Sequence, residues 1–346
     1  MTALPKRLSD RPETATDLLH DALASLHLSG ALFLRAEFTS PWALESSKGE
    51  ALAQALQPSA RRVILFHVVL EGRFVVVLGD AEEELGPGDV AILPYADQHV
   101  LRSPEKTTAI PMARILPPRP WTRLPSLRHG GGGPATSIAC GYLYSDDLHL
   151  SPALAAMPSL MVVRTGGGRF AEWLTTNVRF ALAEADAREG GRDVLMQRLP
   201  EVLFLKCLDL HARHHGAQSV GWLAAAADPI VGRAMAELHR RPEQPWTLKK
   251  LSRACGASRS VLDERFHRLV GSAPMQYLMS WRLQLAARRL RTTAQSVAEI
   301  AEAVGYGSLA SFSRAFKRHT GASPSDWRAV ARHHKPAGSR RGLPTT

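Results

Sequence analysis

The spacing of apolar residues changes along this chain of 346 residues. Between residues 30 and 145 the apolar residues form short runs, such as ALFLRAEF, VILFHVV and RFVVVL, which Gly, Pro and Asp residues separate. Short strands at this spacing, with turns of this composition, predict a small β-barrel or β-sandwich. The Gly-rich residues 129–134 are predicted to form a loop within this region.

After residue 150 the apolar positions follow a helical period. Residues 171–187 and 194–213 predict two helices, which a Gly-Gly pair separates. The second helix has a broad apolar face, so the pair either packs on the predicted barrel or pairs with a second copy of the chain. Residues 214–219 and 224–227 are predicted to form a linker.

The C-terminal region contains an internal repeat. SRSVLDERFHRLVGSAP begins at Ser258 and SLASFSRAFKRHTGASP begins at Ser308, so that Ser, Phe, Arg, Gly and Pro recur in register. Each copy follows a short helical run that ends in a glycine, Gly256 or Gly305. A helix, a tight turn and a second helix are the plan of the helix-turn-helix motif, whose second helix enters the major groove of DNA. Two such motifs in tandem predict a DNA-binding domain.

Further helices are predicted around the repeat. Asp228 is expected to cap a helix that starts at Pro229 and whose inner face carries Ile230, Met235 and Leu238. Thr247 is expected to cap the next helix. A long helix over residues 274–291 would span about 27 Å, close to the roughly 34 Å between successive major-groove faces of one duplex. One chain is therefore expected to reach two adjacent grooves. The buried side of this helix is predicted to carry Tyr277, Leu278, Trp281, Leu285 and Leu290.

Charge is distributed unevenly along the chain. Residues 229–346 hold 21 Lys and Arg against 7 Asp and Glu, a net charge of +14, whereas the whole chain carries +11. The first 228 residues are therefore slightly acidic. A basic region joined to an acidic one indicates a phosphate-binding module attached to a module that does not bind DNA.

Cysteine content and apolar runs bear on the compartment. Cys140, Cys207 and Cys255 are widely spaced and do not suggest a disulfide framework, which favours a reducing cytoplasm. No apolar run approaches the roughly 18 residues that span a membrane, and the first residues lack the apolar core of a signal peptide. Residues 334–346 are expected to form a flexible basic tail.

Residues 228–332 closely resemble the AraC/XylS family of bacterial transcription regulators. The segments PWTLKKLSRACGASRSVLDERFHRLVGSAPMQYLMSWRLQLAARRL and SVAEIAEAVGYGSLASFSRAFKRHTGASPSDWR fit the family's signature almost throughout. The resemblance implies a regulator that binds double-stranded promoter or operator DNA. Whether it activates or represses, whether it contacts RNA polymerase, and which effector it senses stay open.

The N-terminal half of each predicted recognition helix is the part that meets base edges. By position, the outward residues are Arg259, Ser260, Asp263 and Glu264 in the first helix, and Leu309, Ala310, Ser313 and Arg314 in the second. Burial is predicted for Val261, Leu262, Phe266, Phe312 and Phe316. The resemblance places base readers at Ser260, Asp263, Glu264, Ala310, Ser313 and Arg314.

Arg314 is the strongest candidate among these readers, because Arg pairs bidentately with guanine O6 and N7. Asp263 and Glu264 differ from the usual uncharged or basic readers. A carboxylate accepts a hydrogen bond from cytosine N4 but is repelled by phosphates, so a solvated helix face is the alternative. Phosphate contacts, which carry affinity without sequence information, are predicted for Arg259, Arg265, Arg268, Lys317, Arg318 and Thr320.

The N-terminal region resembles the cupin-type sensor domains of such regulators, on the segments FHVVLEG and GDVAILPYADQH. The resemblance implies a small jelly-roll barrel. Cupin enzymes hold a metal with two His and a Glu from one motif and a His from a second, but Leu65 stands at the first position. His67, Glu71 and His99 remain as ligands for a divalent metal; a structural role without any cofactor is the alternative. Cys140 is expected to be a small buried residue rather than a redox-active or metal-binding thiol.

These observations predict an α+β protein that combines a β-rich, cupin-like barrel, a helical connector and an all-α domain with two helix-turn-helix motifs. We expect a cytoplasmic, sequence-specific DNA-binding regulator, not an enzyme, with a homodimer as an open alternative to a monomer. The competing functions are a cupin-type metalloenzyme fused to a DNA-binding domain and a nonspecific architectural protein, against which the two different recognition helices argue. The predicted segments are 1–29, N-terminal; 30–150, sensor domain; 151–227, helical connector or dimerisation region with linker; 228–333, DNA-binding domain with motifs at about 248–269 and 297–319; and 334–346, tail.

Overall fold

The computed structural model describes Leu18 and residues 28–57, 62–118, 121, 123–144, 151–155, 157–187, 194–215 and 221–333. Within these ranges the N-terminal half is mainly strand. The strands are β1 (Ser29–Thr39), β2 (Ala43–Glu45), β3 (Val63–Glu71), β4 (Phe74–Leu78), β5 (Ala81–Leu85), β6 (Val90–Leu93), β7 (Val100–Arg102), β8 (Ile110–Pro111), β9 (Ser126–Gly130), β10 (Ala135–Tyr144) and β11 (Met161–Val163).

The strands form two sheets that share a core. One sheet has the order β11-β6-β3-β10-β1-β9 and the other the order β5-β4-β7-β2-β8. The β1–β9 and β2–β8 pairs are parallel, and the other described pairings are antiparallel. Leu34 and Phe38 of β1 meet Phe74 and Val76 of β4 between the sheets. The predicted β-rich, cupin-like domain is thus confirmed, as two facing sheets rather than one closed ring of strands.

The outer face of the larger sheet is covered by helices. Strand β3 is buried along its length except at Glu71, because one of its faces meets the other sheet and the other face lies under helices. Phe66 of β3 belongs to one apolar cluster with Leu174 and Leu203 of the covering helices. Of the two roles predicted for this helix pair, packing on the barrel is therefore observed. Pairing with a second copy stays a prediction.

Most of the helices lie where they were predicted, whereas those at Gly49–Leu56, Pro152–Ala155 and Trp222–Ala227 were not predicted. The bounds of the described helices are α1 (Gly49–Leu56), α2 (Pro152–Ala155), α3 (Arg169–Ala187), α4 (Val194–His215), α5 (Trp222–Ala227), α6 (Val231–Arg240), α7 (Leu248–Ala254), α8 (Arg259–Val270), α9 (Pro274–Thr292), α10 (Val297–Ala303), α11 (Leu309–Thr320) and α12 (Pro324–His333). Among the helices that the structure describes, none combines the length and apolarity that crossing a membrane requires.

Parts of the predicted linker are helical, and this prediction was wrong. His214 and His215 end α4, and the run of four alanines belongs to α5. Alanine has the highest helix propensity, and α5 buries Trp222 and Ala225 against the helical domain. Residues 216–219 and the tail at 334–346 lie outside the described residues.

The predicted loop at residues 129–134 begins later than expected. His129 and Gly130 continue β9 and pair with Phe38 and Thr39 of β1. Gly130 has φ of 132°, and a Cβ there would meet the Thr39 carbonyl oxygen. Gly130, the first glycine of this segment, is therefore part of the sheet and lets the two backbones approach closely, although composition alone indicated a turn there.

One apolar cluster runs from the sensor domain into the first helix-turn-helix motif. It joins Phe66 of β3, Trp222 of α5, and Leu262 and Phe266 of α8. The second motif has a cluster of its own, which includes Phe312 and Phe316 of α11 and the C-terminal half of α9. On α9 the predicted buried residues Tyr277, Leu278, Trp281 and Leu290 are confirmed, whereas Leu285 is only partly buried.

Candidate DNA-binding surface

The first motif consists of α7, a turn at Gly256 and α8. Thr247 caps α7, as predicted, by accepting a hydrogen bond from the backbone N–H of Lys250 at 3.2 Å. Ser258 caps α8 in the same way, with the N–H of Val261 at 3.2 Å. Each cap satisfies a backbone donor that has no partner within its helix. The repeated serines of the sequence therefore define where the recognition helices begin.

The second motif repeats this plan with α10, a turn at Gly305 and α11. Ser296 and Glu299 form a reciprocal capping box at the start of α10, and Ser308 caps α11 through the N–H of Ser311 at 3.2 Å. The turn holds one residue more than in the first motif, since Tyr306 and Gly307 follow Gly305 before the cap. The two recognition helices, α8 and α11, thus start from slightly different turns.

The buried side of each recognition helix agrees with the sequence in all but one position. Leu262, Phe266, Phe312 and Phe316 are fully buried, as predicted. Val261 is 38% exposed, and the prediction that it is buried was wrong. A helix rotates about 100° per residue, which turns Val261 away from the stripe that residues 262 and 266 form on α8.

The outward sides carry the residues predicted to read bases. Their side chains are exposed or half-buried and lie on the N-terminal half of each recognition helix. The exposed ones are Ser260, Glu264, Ala310 and Arg314, and the half-buried ones are Asp263 and Ser313. Arg259 and Leu309 beside them are also exposed, as expected for outward positions. The Asp263 carboxylate lies 3.8 Å from Nδ1 of His267, one helical turn later.

Four of the predicted phosphate contacts lie at the surface of the two recognition helices. They are Arg259, Arg268, Lys317 and Arg318. Cations in these positions lie on the same helices as the candidate base readers. Such a set attracts the phosphates that flank a groove.

Two other predicted phosphate contacts have internal partners. Arg265 places its Nη1 atom 3.1 Å from Oδ2 of Asp228, which precedes α6. Thr320 is 2% exposed, and its hydroxyl donates to the Phe316 carbonyl at 2.9 Å while it accepts from the N–H of Ala322 at 3.2 Å. Thr320 therefore closes the end of α11, and its predicted phosphate contact is not supported.

Comparisons with known proteins match both halves. The family described as Cupin matches residues 17–213, and the family described as Helix-turn-helix domain matches residues 251–329. The HTH-type transcriptional regulator AlkR of Acinetobacter baylyi is 29% identical over 90% of this chain and 99% of AlkR. A putative AraC-like transcription regulator of Streptomyces lividans is 31% identical over 79% of this chain and 89% of that protein. The solved DNA-binding domain of AdpA, in complex with a target DNA, is 33% identical over 32% of this chain and 99% of that chain, with a TM-score of 0.31.

The chain belongs to the AraC-like transcription regulators. In this family assignment the cupin half occupies the place of the predicted sensor domain, and the helix-turn-helix half is the DNA-binding domain. The predicted family, fold class and regulatory function are thereby confirmed. The individual DNA contacts stay predictions.

The core of the cupin domain in this AraC-like regulator holds a chain of buried polar groups. His67 Nε2 lies 3.1 Å from His99 Nε2, and His67 Nδ1 lies 3.1 Å from Cys140 Sγ. His99 Nδ1 lies 3.0 Å from Ser46 Oγ. Burial, together with the neighbouring His99, holds the pKa of His67 well below its usual value, and burial also lowers the pKa of His99. Both imidazoles are therefore neutral at pH 7.

Of the three predicted metal ligands, only His67 and His99 lie in this chain of groups. Glu71 ends β3 at an exposed position and lines a surface cleft of about 850 Å³ together with Arg35, Arg128 and Arg179. Among the described residues no group of three or more His, Cys, Asp and Glu side chains is arranged to hold a metal ion. The Cys140 thiol is buried, as predicted, and burial raises its pKa to about 12.

The contact between connector and DNA-binding domain was not foreseen. The indole Nε1 of Trp222 in α5 donates to Oη of Tyr277 in α9 at 3.0 Å, and that hydroxyl lies 2.7 Å from Nε2 of His239 in α6. The His239 ring stacks on Trp281 at 4.0 Å between centroids. A tryptophan at the start of an alanine-rich run was the only sequence signal for this contact. The connector is thus anchored on the helix that joins the two motifs.

Proposed function

We propose that this AraC-like regulator recognises two adjacent major-groove sites on one DNA duplex with α8 and α11. The observation that carries the proposal is the presence of two capped recognition helices whose outward residues are solvent-accessible, joined by α9 of 19 residues. At 1.5 Å per residue α9 spans roughly 28 Å, comparable with the roughly 34 Å between successive groove faces. The net charge of +14 over residues 229–346 supplies attraction to the phosphates.

Specificity is assigned to the six predicted readers. Arg314 pairs with a guanine edge, and Ser313 and Ala310 contact neighbouring bases in the same groove. In the first motif, Glu264 and Asp263 accept hydrogen bonds from cytosine N4, with Ser260 beside them. Affinity that does not depend on sequence comes from Arg259, Arg268, Lys317 and Arg318.

The cupin half acts as the sensor in this proposal, with an unidentified effector and without turnover. Its helices α3 and α4 carry the exposed apolar residues Trp173, Phe180 and Val202, which supports a homodimer formed through this layer. The regulator acts in the cytoplasm, because bacterial DNA lies there. If the regulator activates transcription, we expect it to contact RNA polymerase.

The deciding experiment is selection of binding sites from a random DNA library with the full chain, followed by footprinting. We expect one enriched sequence that contains two boxes, the short DNA segments that α8 and α11 each recognise, about one helical turn apart. We also expect the affinity for this DNA to fall steeply as the salt concentration rises. If the protein binds the library DNA without any sequence preference, the alternative of a nonspecific architectural protein is favoured. No salt-sensitive binding by folded protein would contradict the proposed function.

A further inference from the structure

Arg282 lies in the middle of α9 and reaches back to the first motif. Its Nε donates to the carbonyl oxygen of Pro242 at 2.7 Å, and its Nη2 donates to that of Gln244 at 2.7 Å. These carbonyls belong to the loop that joins α6 to α7, the first helix of that motif. The guanidinium is half-buried, and burial lowers the pKa of Arg282. Both hydrogen bonds come from one planar cation, which fixes the loop in direction as well as distance.

The turn of the second motif rests on the same loop. A Cβ placed on Gly305 would lie 2.7 Å from Arg282 Nη2, 2.7 Å from the Glu243 carbonyl oxygen and 2.8 Å from Glu243 Cα. Such distances leave no room for a side chain, so the two backbones and the guanidinium are in direct contact. Three elements therefore meet at Arg282: the long helix α9, the entry loop of the first motif and the turn of the second.

This junction bears on how the two motifs are held relative to each other. Their apolar cores are separate clusters, one shared with the sensor domain and one around Phe312 and Phe316. Packing within each core fixes each recognition helix inside its own motif. A relation between the motifs has to come from elements that touch both, and Arg282 touches both.

We infer that Arg282 is a positioning residue for DNA recognition, which holds α8 and α11 at one separation and so sets the spacing between the two boxes that the regulator accepts. The inference rests on the proposed function and deepens it. When two linked sites engage one ligand, the gain from the second contact depends on how well the linkage matches their separation. A rigid linkage gives a large gain at one spacing and little at others.

The test compares full-length Arg282→Gln with Arg288→Gln, which removes the same charge from an exposed position on the same helix. The probes are the two-box DNA selected with the wild-type protein, versions with one box scrambled, and versions with base pairs added or removed between the boxes. We expect Arg282→Gln to lose about tenfold or more on two-box DNA, to change by less than about twofold on one-box DNA, and to tolerate altered spacing better than wild type. Arg288→Gln should keep the spacing preference of the wild type.

Several outcomes overturn the inference while leaving the proposed function intact. An unchanged spacing profile in Arg282→Gln shows that α9 alone fixes the motifs. Equal losses on one-box and two-box DNA show that Arg282 stabilises a single motif instead. If the wild-type protein selects no two-box sequence, the proposed function fails first.

A second variant keeps the test decisive if Arg282→Gln does not fold, as judged by circular dichroism. Arg282→Lys retains the charge, but an ammonium group cannot present the planar fork that reaches both carbonyls. We expect its spacing profile to be flattened like that of Arg282→Gln. A wild-type profile in Arg282→Lys means that charge alone suffices, which contradicts positioning through two carbonyls.

Discussion

The carboxylate of Asp228 joins the start of α6 to the first recognition helix through Arg265. One oxygen, Oδ1, accepts hydrogen bonds from the backbone N–H groups of Ile230 and Val231 at 2.9 Å each, and the other lies 3.1 Å from Arg265 Nη1. Asp228 was predicted to be the N-cap of a helix starting at Pro229, but α6 begins at Val231 and its N-cap is Ile230, which is only partly buried. The Asp228 side chain instead accepts from these first backbone N–H groups from a position two residues before that cap. Arg265, predicted to bind phosphate, has an internal partner.

Arg265→Ala is therefore expected to act on the domain rather than on the phosphates. The pair is partly exposed, so its loss should cost at most about 1 kcal/mol of unfolding free energy. The salt dependence of DNA binding should stay as in the wild type. Arg268→Ala, on the exposed side of the same helix, should instead reduce the slope of log K against log salt by about one. Binding titrations over a range of salt concentrations decide this. A reduced slope for Arg265→Ala would show that Arg265 does contact a phosphate.

Arg314→Ala and Lys317→Ala separate base reading from phosphate binding on α11. If Arg314 pairs with a guanine edge, its loss should cost about 1–3 kcal/mol and relax the preference at one base pair. Lys317→Ala should weaken binding to all sequences about equally and flatten the salt slope. Affinities for the selected site and for a set of its single-base variants are the measurement. Equal losses on cognate and scrambled DNA for Arg314→Ala would assign Arg314 to the backbone.

The sequence predicted the recognition helices well because their signals are local. Ser258 and Ser308 cap the helix that follows each of them, and Phe266 and Phe316 are buried one turn after Leu262 and Phe312. Local patterns of capping and helical period determine such features. The same patterns placed α9 to within a residue of its observed ends.

What the sequence did not reveal are contacts between distant elements. Arg282 looks like any cation on an amphipathic helix, and only the fold brings it to the carbonyls of Pro242 and Gln244. Thr320 follows Arg318 in a basic run, yet the helix turn carries it to the buried side. Glu71 is four residues from His67, but the strand carries it out of the core while His99 enters from another loop.

Gly305→Val should abolish specific binding while the cupin domain stays folded. Gly305 has φ of 86°, where a β-branched residue is strained by about 1–3 kcal/mol, and its Cβ would strike the backbone of Glu243. Gly307→Ala is the matched control, since nothing lies within 4 Å of a Cβ at that position. Circular dichroism and DNA titration of both variants test this. Wild-type affinity in Gly305→Val would show that the turn adapts without cost.

His239 is expected to make the stability of the DNA-binding domain depend on pH. It is buried between Tyr277 and Trp281, and burial lowers its pKa from 6.5 to about 3. Between these two pH values, His239 therefore carries a proton in the unfolded chain but not in the folded chain. Stability from this group is complete above pH 6.5 and falls as the pH drops towards 3, by up to about 1.4 kcal/mol per pH unit.

His239→Phe should remove this dependence while keeping an aromatic ring against Trp281. The variant should be less stable than wild type at neutral pH by about 1–3 kcal/mol, because the Tyr277 hydroxyl loses its hydrogen-bond partner, Nε2 of His239, at 2.7 Å. The difference should shrink as the pH falls, since only the wild type continues to lose stability through His239. His67 and His99 titrate in both proteins, so their contributions cancel in the comparison. Urea unfolding at about pH 7 and about pH 5 measures the effect, and a constant difference between the two proteins would mean that His239 takes up its proton in the folded state.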